Sequence, residues 1–317
     1  MKKISMIFTG VFLLLGMSVC SANATKDTVQ NIQVFSVDNA SGKITAASVE
    51  ADFNASGLTV DVNNNMNSIF EKRYNHIHHK HYNLAIFHND EMIVKLAKKY
   101  PNIGLITPLS MSIYSDDAKK SINISTLSLA GMAKVTGIPV TNPDLVAYAK
   151  LIEKALSKAL PNGSYKKDVK SSDALAVTEF TTEFELEDGD TYTDAKNEFE
   201  DELESELSPV GFLVPKSYKL QKELFKGKGL DDYDFYDTYS IIRFNAIYPV
   251  SKVHPDAGAY APFSLVIYKK KSDKTVHVAY PSINNWVKNL NITDKETIKA
   301  VQETDGLIKK ILEELTE

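Results

Sequence analysis

The chain has 317 residues, and its 36 Lys and Arg against 41 Asp and Glu give a formal net charge of −5 at pH 7. This acidic balance argues against nucleic-acid binding, because contacts to phosphate groups need a basic face. The single cysteine, Cys20, lies near the N-terminus, so the sequence predicts neither a disulfide nor a thiol nucleophile beyond that point.

The first 24 residues have the layout of a secretory signal peptide. Two lysines precede an apolar run, Ile7–Leu15, and a small-residue site ends at Ala24. The run is too short to span a bilayer, so we expect cleavage after Ala24 and a periplasmic product without a transmembrane segment. An uncleaved anchor is a less favoured alternative. A lipid on Cys20 is also less favoured, because Val19 is bulkier than the residues usual before such a cysteine.

The next part of the chain predicts a first set of strands and helices. These are, in order, a strand at 32–37, a helical pattern from Val62 to Phe70, a buried strand "YNLAIF", a short helix Glu91–Tyr100, a hairpin turning at Asp116-Asp117, and an amphipathic helix Pro143–Leu160.

A second set of elements follows in the same order, with one additional acidic helix after its first strand. It comprises a strand within 175–186, an acidic helix with Glu198, Glu200, Asp201, Glu202, Glu204 and Glu206 on its solvent face, a helical pattern from Leu220 to Phe225, a strand "YSIIRF", a short helix Tyr248–His254, a hairpin turning at Ser272-Asp273, and a final helix capped by Thr293 with Glu296.

The two sets are related by a constant offset. The segment "GLITPLSMSIY" from Gly104 aligns with "GAYAPFSLVIY" from Gly258, and the offset is 258 − 104 = 154. The same offset joins Gly57 to Gly211 and Ile138 to Ile292. The chain is therefore predicted to be a tandem duplication.

Mixed strands and helices with hairpins predict an α+β fold made of two similar repeats. The first repeat is assigned to residues 25–162, with its most similar core at 57–138. A linker rich in turn formers is assigned to residues 163–173, and the second repeat to 174–317, with its core at 211–292.

The segment "FHNDEMIVKLAKKYPNIGLITPLSMSIYSDD" resembles the domain of unknown function 302 family. The resemblance implies a sheet with helices on one face, like a repeat of the TATA-box-binding protein. Single-domain members tend to pair, so this chain would be its own intrachain pseudo-dimer, and a monomer. Asn89 and Asn245 match the family's strand-end asparagine, whereas the cysteine that many members carry beside the hairpin proline is replaced by Leu109 and Phe263. The family offers no catalytic residue to transfer.

Five of the seven histidines lie between positions 76 and 88. The offset carries "HIHHKH" onto "LDDYDF" at 230–235, and one hypothesis is that the two loops meet and bind Zn(II), Cu(II) or Ni(II). The candidate ligands are His76, His78, His79, His81, His88, Asp232 and Asp234. The favoured alternative is a solvated loop whose charge changes near pH 6 to 7, where isolated histidine titrates.

No motif for nucleophilic, phosphate-binding or metalloprotease chemistry is present, so we expect a protein that is not an enzyme. The leading prediction is a periplasmic protein that binds an unknown small molecule or protein. The binding groove would lie between the repeats, near Asn89, Asn245, Tyr114 and Tyr268. The alternative prediction is a periplasmic metal-binding protein that uses the histidine cluster.

Overall fold

A computed structural model describes residues 30–118, 120–166 and 177–317. The predicted signal peptide with Cys20 and Ala24, and most of the predicted linker, lie outside the described residues. Within the described ranges, no helix combines the length and apolarity needed to cross a membrane.

The first repeat is built around a six-stranded antiparallel sheet with the strand order β2-β3-β4-β5-β1-β6. Helix α5 packs against α1, α3 and α4. The elements are β1 (Ile32–Asp38), α1 (Ala46–Asn54), β2 (Thr59–Asn65), α2 (Met66–Tyr74), β3 (Tyr82–His88), α3 (Asp90–Ala97), a 3-10 segment (Pro101–Ile106), β4 (Leu109–Asp116), β5 (Ser121–Leu127), α4 (Leu129–Thr136), α5 (Pro143–Ala159) and β6 (Ser164–Tyr165).

The second repeat has a five-stranded antiparallel sheet with the order β7-β11-β10-β9-β8, which is the order of the first sheet without its β6 edge. Helix α9 packs against α6, α7 and α8. The elements are β7 (Val177–Glu183), α6 (Tyr192–Leu207), β8 (Phe212–Lys219), a π-helical turn (Gln221–Phe225), a 3-10 turn (Lys226–Lys228), β9 (Tyr233–Arg243), α7 (Phe244–Val253), a 3-10 segment (Pro255–Ala259), β10 (Phe263–Lys270), β11 (Thr275–Pro281), α8 (Asn285–Asn289) and α9 (Lys295–Thr316).

The common strand order confirms the predicted duplication and the α+β class. Both strands of each hairpin correspond at the offset of 154, because β4 and β5 map onto β10 and β11 without a shift. The apolar faces of the two sheets and their helices form a hydrophobic core that includes residues from both repeats.

The two repeats contact each other reciprocally. The 3-10 segment containing Gly104 packs on β10, and the one containing Gly258 packs on β4. A Cβ on Gly258 would lie 2.7 Å from Leu84 Cδ2, so the close approach needs glycine. Ser264 Oγ donates to the carbonyl of Pro108 at 2.8 Å, and Ser110 Oγ donates to the carbonyl of Pro262. The predicted intrachain pseudo-dimer is thus observed.

Two helix starts differ from the sequence prediction. Val62 lies in β2, and α2 begins only at Met66, because the side chain of Asn65 accepts the amide hydrogen of Asn67 and caps the helix there. The final helix is capped by Asp294 instead of Thr293, because the Asp294 carboxylate accepts from the Thr297 amide at 2.8 Å.

The short helix of the second repeat also begins earlier than predicted. Helix α7 starts at Phe244, four residues before the predicted Tyr248, and contains Pro249. The preceding helical pattern of that repeat, Leu220 to Phe225, forms only a single π-helical turn.

Candidate functional site

The histidine loop lies between α2 and β3 and packs on α7 of the second repeat. Nε2 of His79 is 2.7 Å from the carbonyl oxygen of Ser251, and the His78 ring centroid is 4.5 Å from that of Tyr248. Burial, together with the smaller effects of His76 and His79, lowers the pKa of His78 to about 4. His78 is therefore neutral at pH 6 to 7, and the predicted change of charge in that range does not apply to it.

The predicted meeting of this loop with Asp232 and Asp234 is not found. Asp234 accepts a 2.6 Å bond from the ammonium group of Lys269, and the Asp232 carbonyl accepts from the backbone of Lys271, both within the second repeat. Each of the two loops instead contacts a helix of the opposite repeat, as the pseudo-twofold arrangement of the repeats requires. Tyr233 accordingly donates to the carbonyl of Ala97 at 2.9 Å.

The other three histidines of the cluster have different contacts. The ring centroid of His76 lies 5.2 Å from that of His78, the backbone amide of His81 donates to Ser115 Oγ, and His88 contacts Asp61 and Asp90. Throughout residues 30–118, 120–166 and 177–317, no three His, Cys, Asp or Glu side chains are grouped so that they could hold a metal ion.

The four residues predicted to line a groove are mainly structural. Asn89 caps α3, with Oδ1 accepting from Met92 at 2.9 Å, and Tyr114 is buried. Asn245 does bridge the repeats, because its Oδ1 accepts from the Tyr74 hydroxyl at 2.9 Å. Tyr268 lies beside His277 on the wall of an inter-repeat cavity of about 280 Å³.

A second inter-repeat cavity, of about 880 Å³, was missed by the sequence analysis. Its walls come from β2, α2 and β3 of the first repeat and from β8, β9 and the start of α7 in the second. The lining residues are Val62, Asn64, Met66, Ser68, Ile69, Lys72, Arg73, Leu84, Ile86, Leu213, Val214, Pro215, Ile242, Phe244 and Pro262.

The charged side chains that line this cavity are both positive. Lys72 and Arg73, in the last turn of α2, are its only charged lining residues within the described ranges. The Arg73 guanidinium lies 4.9 Å from the ring centroid of Phe244 on the other repeat. Such a cation–aromatic contact holds the guanidinium at the boundary between the repeats. The cavity is thus mainly apolar with two cations at one side.

The pseudo-equivalent cleft has a different chemistry. At the offset of 154, four cavity residues are replaced by polar or charged ones: Asn64, Pro215, Ile242 and Phe244 correspond to Tyr218, Asp61, His88 and Asp90. The sequence therefore contained a signal for this site: the two repeats carry different residues at positions that correspond by the offset.

Those polar residues bond to one another across the repeats. Tyr218 donates to Asp61 Oδ2 at 2.7 Å, and His88 Nδ1 lies 2.7 Å from the same oxygen. Nε2 of His88 is 3.1 Å from Asp90 Oδ1. Burial alone would raise the pKa of Asp61, but its contacts with His88 and Tyr218 outweigh burial and lower it. Tyr218 and its partners therefore fill the space that is open in the other cleft.

A buried charge network in the second repeat was also mispredicted. Glu200 was expected on the solvent face of α6, yet it is buried 3.0 Å from the ammonium group of Lys196. Lys196 also donates to Asp237 at 2.8 Å, and burial raises the pKa of Asp237 to about 6. A helical pattern cannot reveal this, because the partner Asp237 comes from β9.

The comparisons with known proteins identify the domain. A crystal structure of an uncharacterized conserved protein, DUF302, from Bacillus stearothermophilus is 18% identical; the match covers 44% of this chain and 98% of that chain, with a TM-score of 0.34. No curated protein is significantly similar to this chain. The family model described as "Domain of unknown function DUF302" matches residues 34–162 and 191–315. The chain therefore belongs to the DUF302 family and carries two copies of its domain.

Proposed function

We propose that this protein is an exported, non-enzymatic binding protein that holds a small, mainly apolar molecule in the 880 Å³ cavity between its repeats. Ligand cavities of soluble proteins commonly have 300–1,000 Å³ and combine apolar walls with few polar groups. The cavity has both features, since Asn64, Ser68, Lys72 and Arg73 are its only polar lining residues within the described ranges.

The observation that carries this proposal is the difference between the two inter-repeat clefts. One is filled by Tyr218 and its hydrogen bond to Asp61, whereas the other has Asn64 in place of the tyrosine and stays open. Leu213, one of the lining residues, is 42% exposed, so apolar surface of the cavity wall remains in contact with water. An apolar ligand would remove that surface from water, which is favourable by roughly 25 cal/mol per Å².

Asn64→Tyr tests the proposal, because it introduces the side chain that fills the equivalent cleft. N-phenyl-1-naphthylamine, an uncharged fluorescent probe, is titrated into the protein starting at residue 25. We expect wild type to bind the probe and Asn64→Tyr to bind it at least about tenfold more weakly, the equivalent of 1.4 kcal/mol.

Thr59→Tyr is the matched control, since Thr59 is an exposed residue of the same strand that does not line the cavity. It should bind the probe as wild type does. Equal binding by wild type and Asn64→Tyr would show that the cavity is not the binding site.

Export is supported by the lysines, the apolar run and the small-residue site of the first 24 residues. N-terminal sequencing of the protein from a periplasmic fraction should begin at Thr25. An intact N-terminus in the cytoplasm would contradict export. No observation among the described residues favours the alternative of metal binding, because no three His, Cys, Asp or Glu side chains there are grouped so that they could hold a metal ion.

A further inference from the structure

We infer that the ligand of this cavity is a single-chain amphipathic anion, with its charged head at Lys72 and Arg73 and its hydrocarbon tail between the repeats. The inference rests on the proposed function and assigns the chemical class of the ligand. Three features carry it: the cations without an ion-pair partner, the contact of Arg73 with Phe244 and the apolar walls.

The two cations are available to a ligand. Both side chains are exposed, and neither has an ion-pair partner within the described parts of the chain. Arg243, which follows the cavity residue Ile242, differs in this respect, because it is 3.3 Å from Glu303 and also bonds to Thr304. The cavity therefore attracts negative charge, and an anionic head would meet no carboxylate on its walls.

Arg73 is placed where it can bind a carboxylate. Its guanidinium lies over the Phe244 ring, which limits the freedom of a long side chain, and both residues line the cavity. Guanidinium groups bind carboxylates through two parallel N–H donors, and Lys72 in the same helical turn adds a third positively charged donor.

The equivalent cleft would reject the same ligand. The position of Phe244 is taken there by Asp90, and the position of Pro215 is taken by Asp61. Two carboxylates repel an anionic head, so only one of the two clefts accepts it.

The walls away from the cations suit a hydrocarbon chain. Ile69, Leu84 and Ile86 face this space from the first repeat, and Leu213 and Ile242 face it from the second. A ligand with polar groups along its length would leave them unpaired against these side chains, at a substantial cost. A single polar head at one end avoids that cost.

Three ligands with the same ten-carbon chain test the inference: decanoate, decanol and decyltrimethylammonium. Each displaces N-phenyl-1-naphthylamine from the protein starting at residue 25. We expect decanoate to displace the probe at about tenfold lower concentration than decanol, because a charge-assisted hydrogen bond is roughly twice as strong as a neutral one. Decyltrimethylammonium, which is positively charged, should be the weakest competitor of the probe.

In the double variant Lys72→Gln/Arg73→Gln, the concentration of decanoate that displaces the probe should rise close to that of decanol. The concentration of decanol that displaces the probe should not change. Lys226→Gln is the matched control, because Lys226 is the residue at the offset of 154 from Lys72 and does not line the cavity. It should keep the preference for decanoate. Added salt should reduce that preference in wild type, since exposed charges are screened.

The outcomes separate the two proposals. Equal displacement of the probe by all three ligands would overturn the inference that the ligand has an anionic head, and it would leave the proposed binding of an apolar molecule intact. Failure of wild type to bind the probe, or unchanged binding by Asn64→Tyr, would overturn the binding function itself. Binding to phosphatidylglycerol vesicles without binding to free decanoate would also overturn the inference, because the cations would then recognise a membrane surface.

Discussion

At the scale of single residues, four substitutions distinguish the two clefts between the repeats. Tyr218, Asp61, His88 and Asp90 fill one cleft with contacts from 2.7 to 3.1 Å. Their counterparts in the other cleft are an asparagine and three apolar residues, which cannot form the same network. After the duplication, the two halves were free to diverge, and the polar set now joins the repeats on one side.

Asp61→Asn tests how much the filled cleft stabilises the fold. The folded pKa of Asp61 lies below its unfolded value of about 3.9, so the carboxylate stabilises the native state above pH 4. That contribution is lost as the pH falls through the folded pKa. We expect Asp61→Asn to lower the free energy of unfolding by about 1 kcal/mol at pH 7, and the difference from wild type to shrink below pH 4.

Urea denaturation at a series of pH values measures this difference. Asp201→Asn, at an exposed position of α6, is the control and should stay near wild type at every pH. A difference for Asp61→Asn that is the same at pH 7 and pH 3 would mean that the charge of Asp61 is not the cause.

The histidine cluster shows why composition alone could not locate a site. Five histidines close together in sequence suggested shared ligation, but His78 packs on Tyr248 and His79 bonds to Ser251 of the other repeat. His88 belongs to a strand end and contacts Asp61. The rings of His76, His78 and His79 stay near one another, with centroids 5.2 and 6.5 Å apart, whereas His88 lies in a different environment.

At the scale of elements, strands and long helices were predicted best. Helix α5 ends one residue before its predicted limit, and the paired hairpin strands match the alternation of apolar side chains. Errors concentrate at helix starts. Asn65 and Asp294 end up as caps because their side-chain oxygens reach a backbone amide, and this depends on local geometry more than on residue type.

Gly306→Ala should stabilise the protein, because Gly306 lies in the interior of α9 and a Cβ there would meet nothing within 4 Å. Alanine loses less backbone entropy than glycine in a helix, so we expect a gain of roughly 0.5–1 kcal/mol. The midpoint of urea denaturation measures it.

The control is Gly131→Ala in α4, where the added Cβ would collide with the carbonyl oxygen of Asn31. That variant should be less stable than wild type. Destabilisation by Gly306→Ala would mean that the exposed side of α9 contacts something besides solvent.

At the scale of the whole molecule, the repeats stabilise each other. Residues from both contribute to the hydrophobic core, and the bonds of Ser110 and Ser264 to the opposite cis prolines are reciprocal. The residues that revealed the duplication, such as Gly104 and Gly258, are also those that form this contact. Their identity in both repeats has a physical reason: each must approach the other repeat's strand closely.

Gly258→Ala should lower the stability of both repeats together. The new Cβ would collide with Ser112, and overpacking of this kind costs about 2 kcal/mol. Circular dichroism follows both repeats during thermal unfolding, and fluorescence of Trp286, the only tryptophan, follows the second. We expect the two midpoints to coincide in wild type and to fall together in the variant.

Gly227→Ala is the control, because a Cβ there has open space and should change neither midpoint appreciably. If Gly258→Ala shifts only the fluorescence midpoint, the repeats unfold independently and the interface does not couple them.

The features that depend on relations between positions in the sequence could be predicted from the sequence alone. The constant offset, the alternation of apolar residues in the hairpins and the turn residues predicted the duplication and the α+β class, because each is a relation between positions in sequence. The pairing of the repeats was implied by the resemblance to the DUF302 family. The open cavity depends on which side chains meet across the interface. Asn64 and Phe244 line it from different repeats, and no local pattern records their proximity. Packing across a pseudo-twofold interface therefore left one cleft open and filled the other.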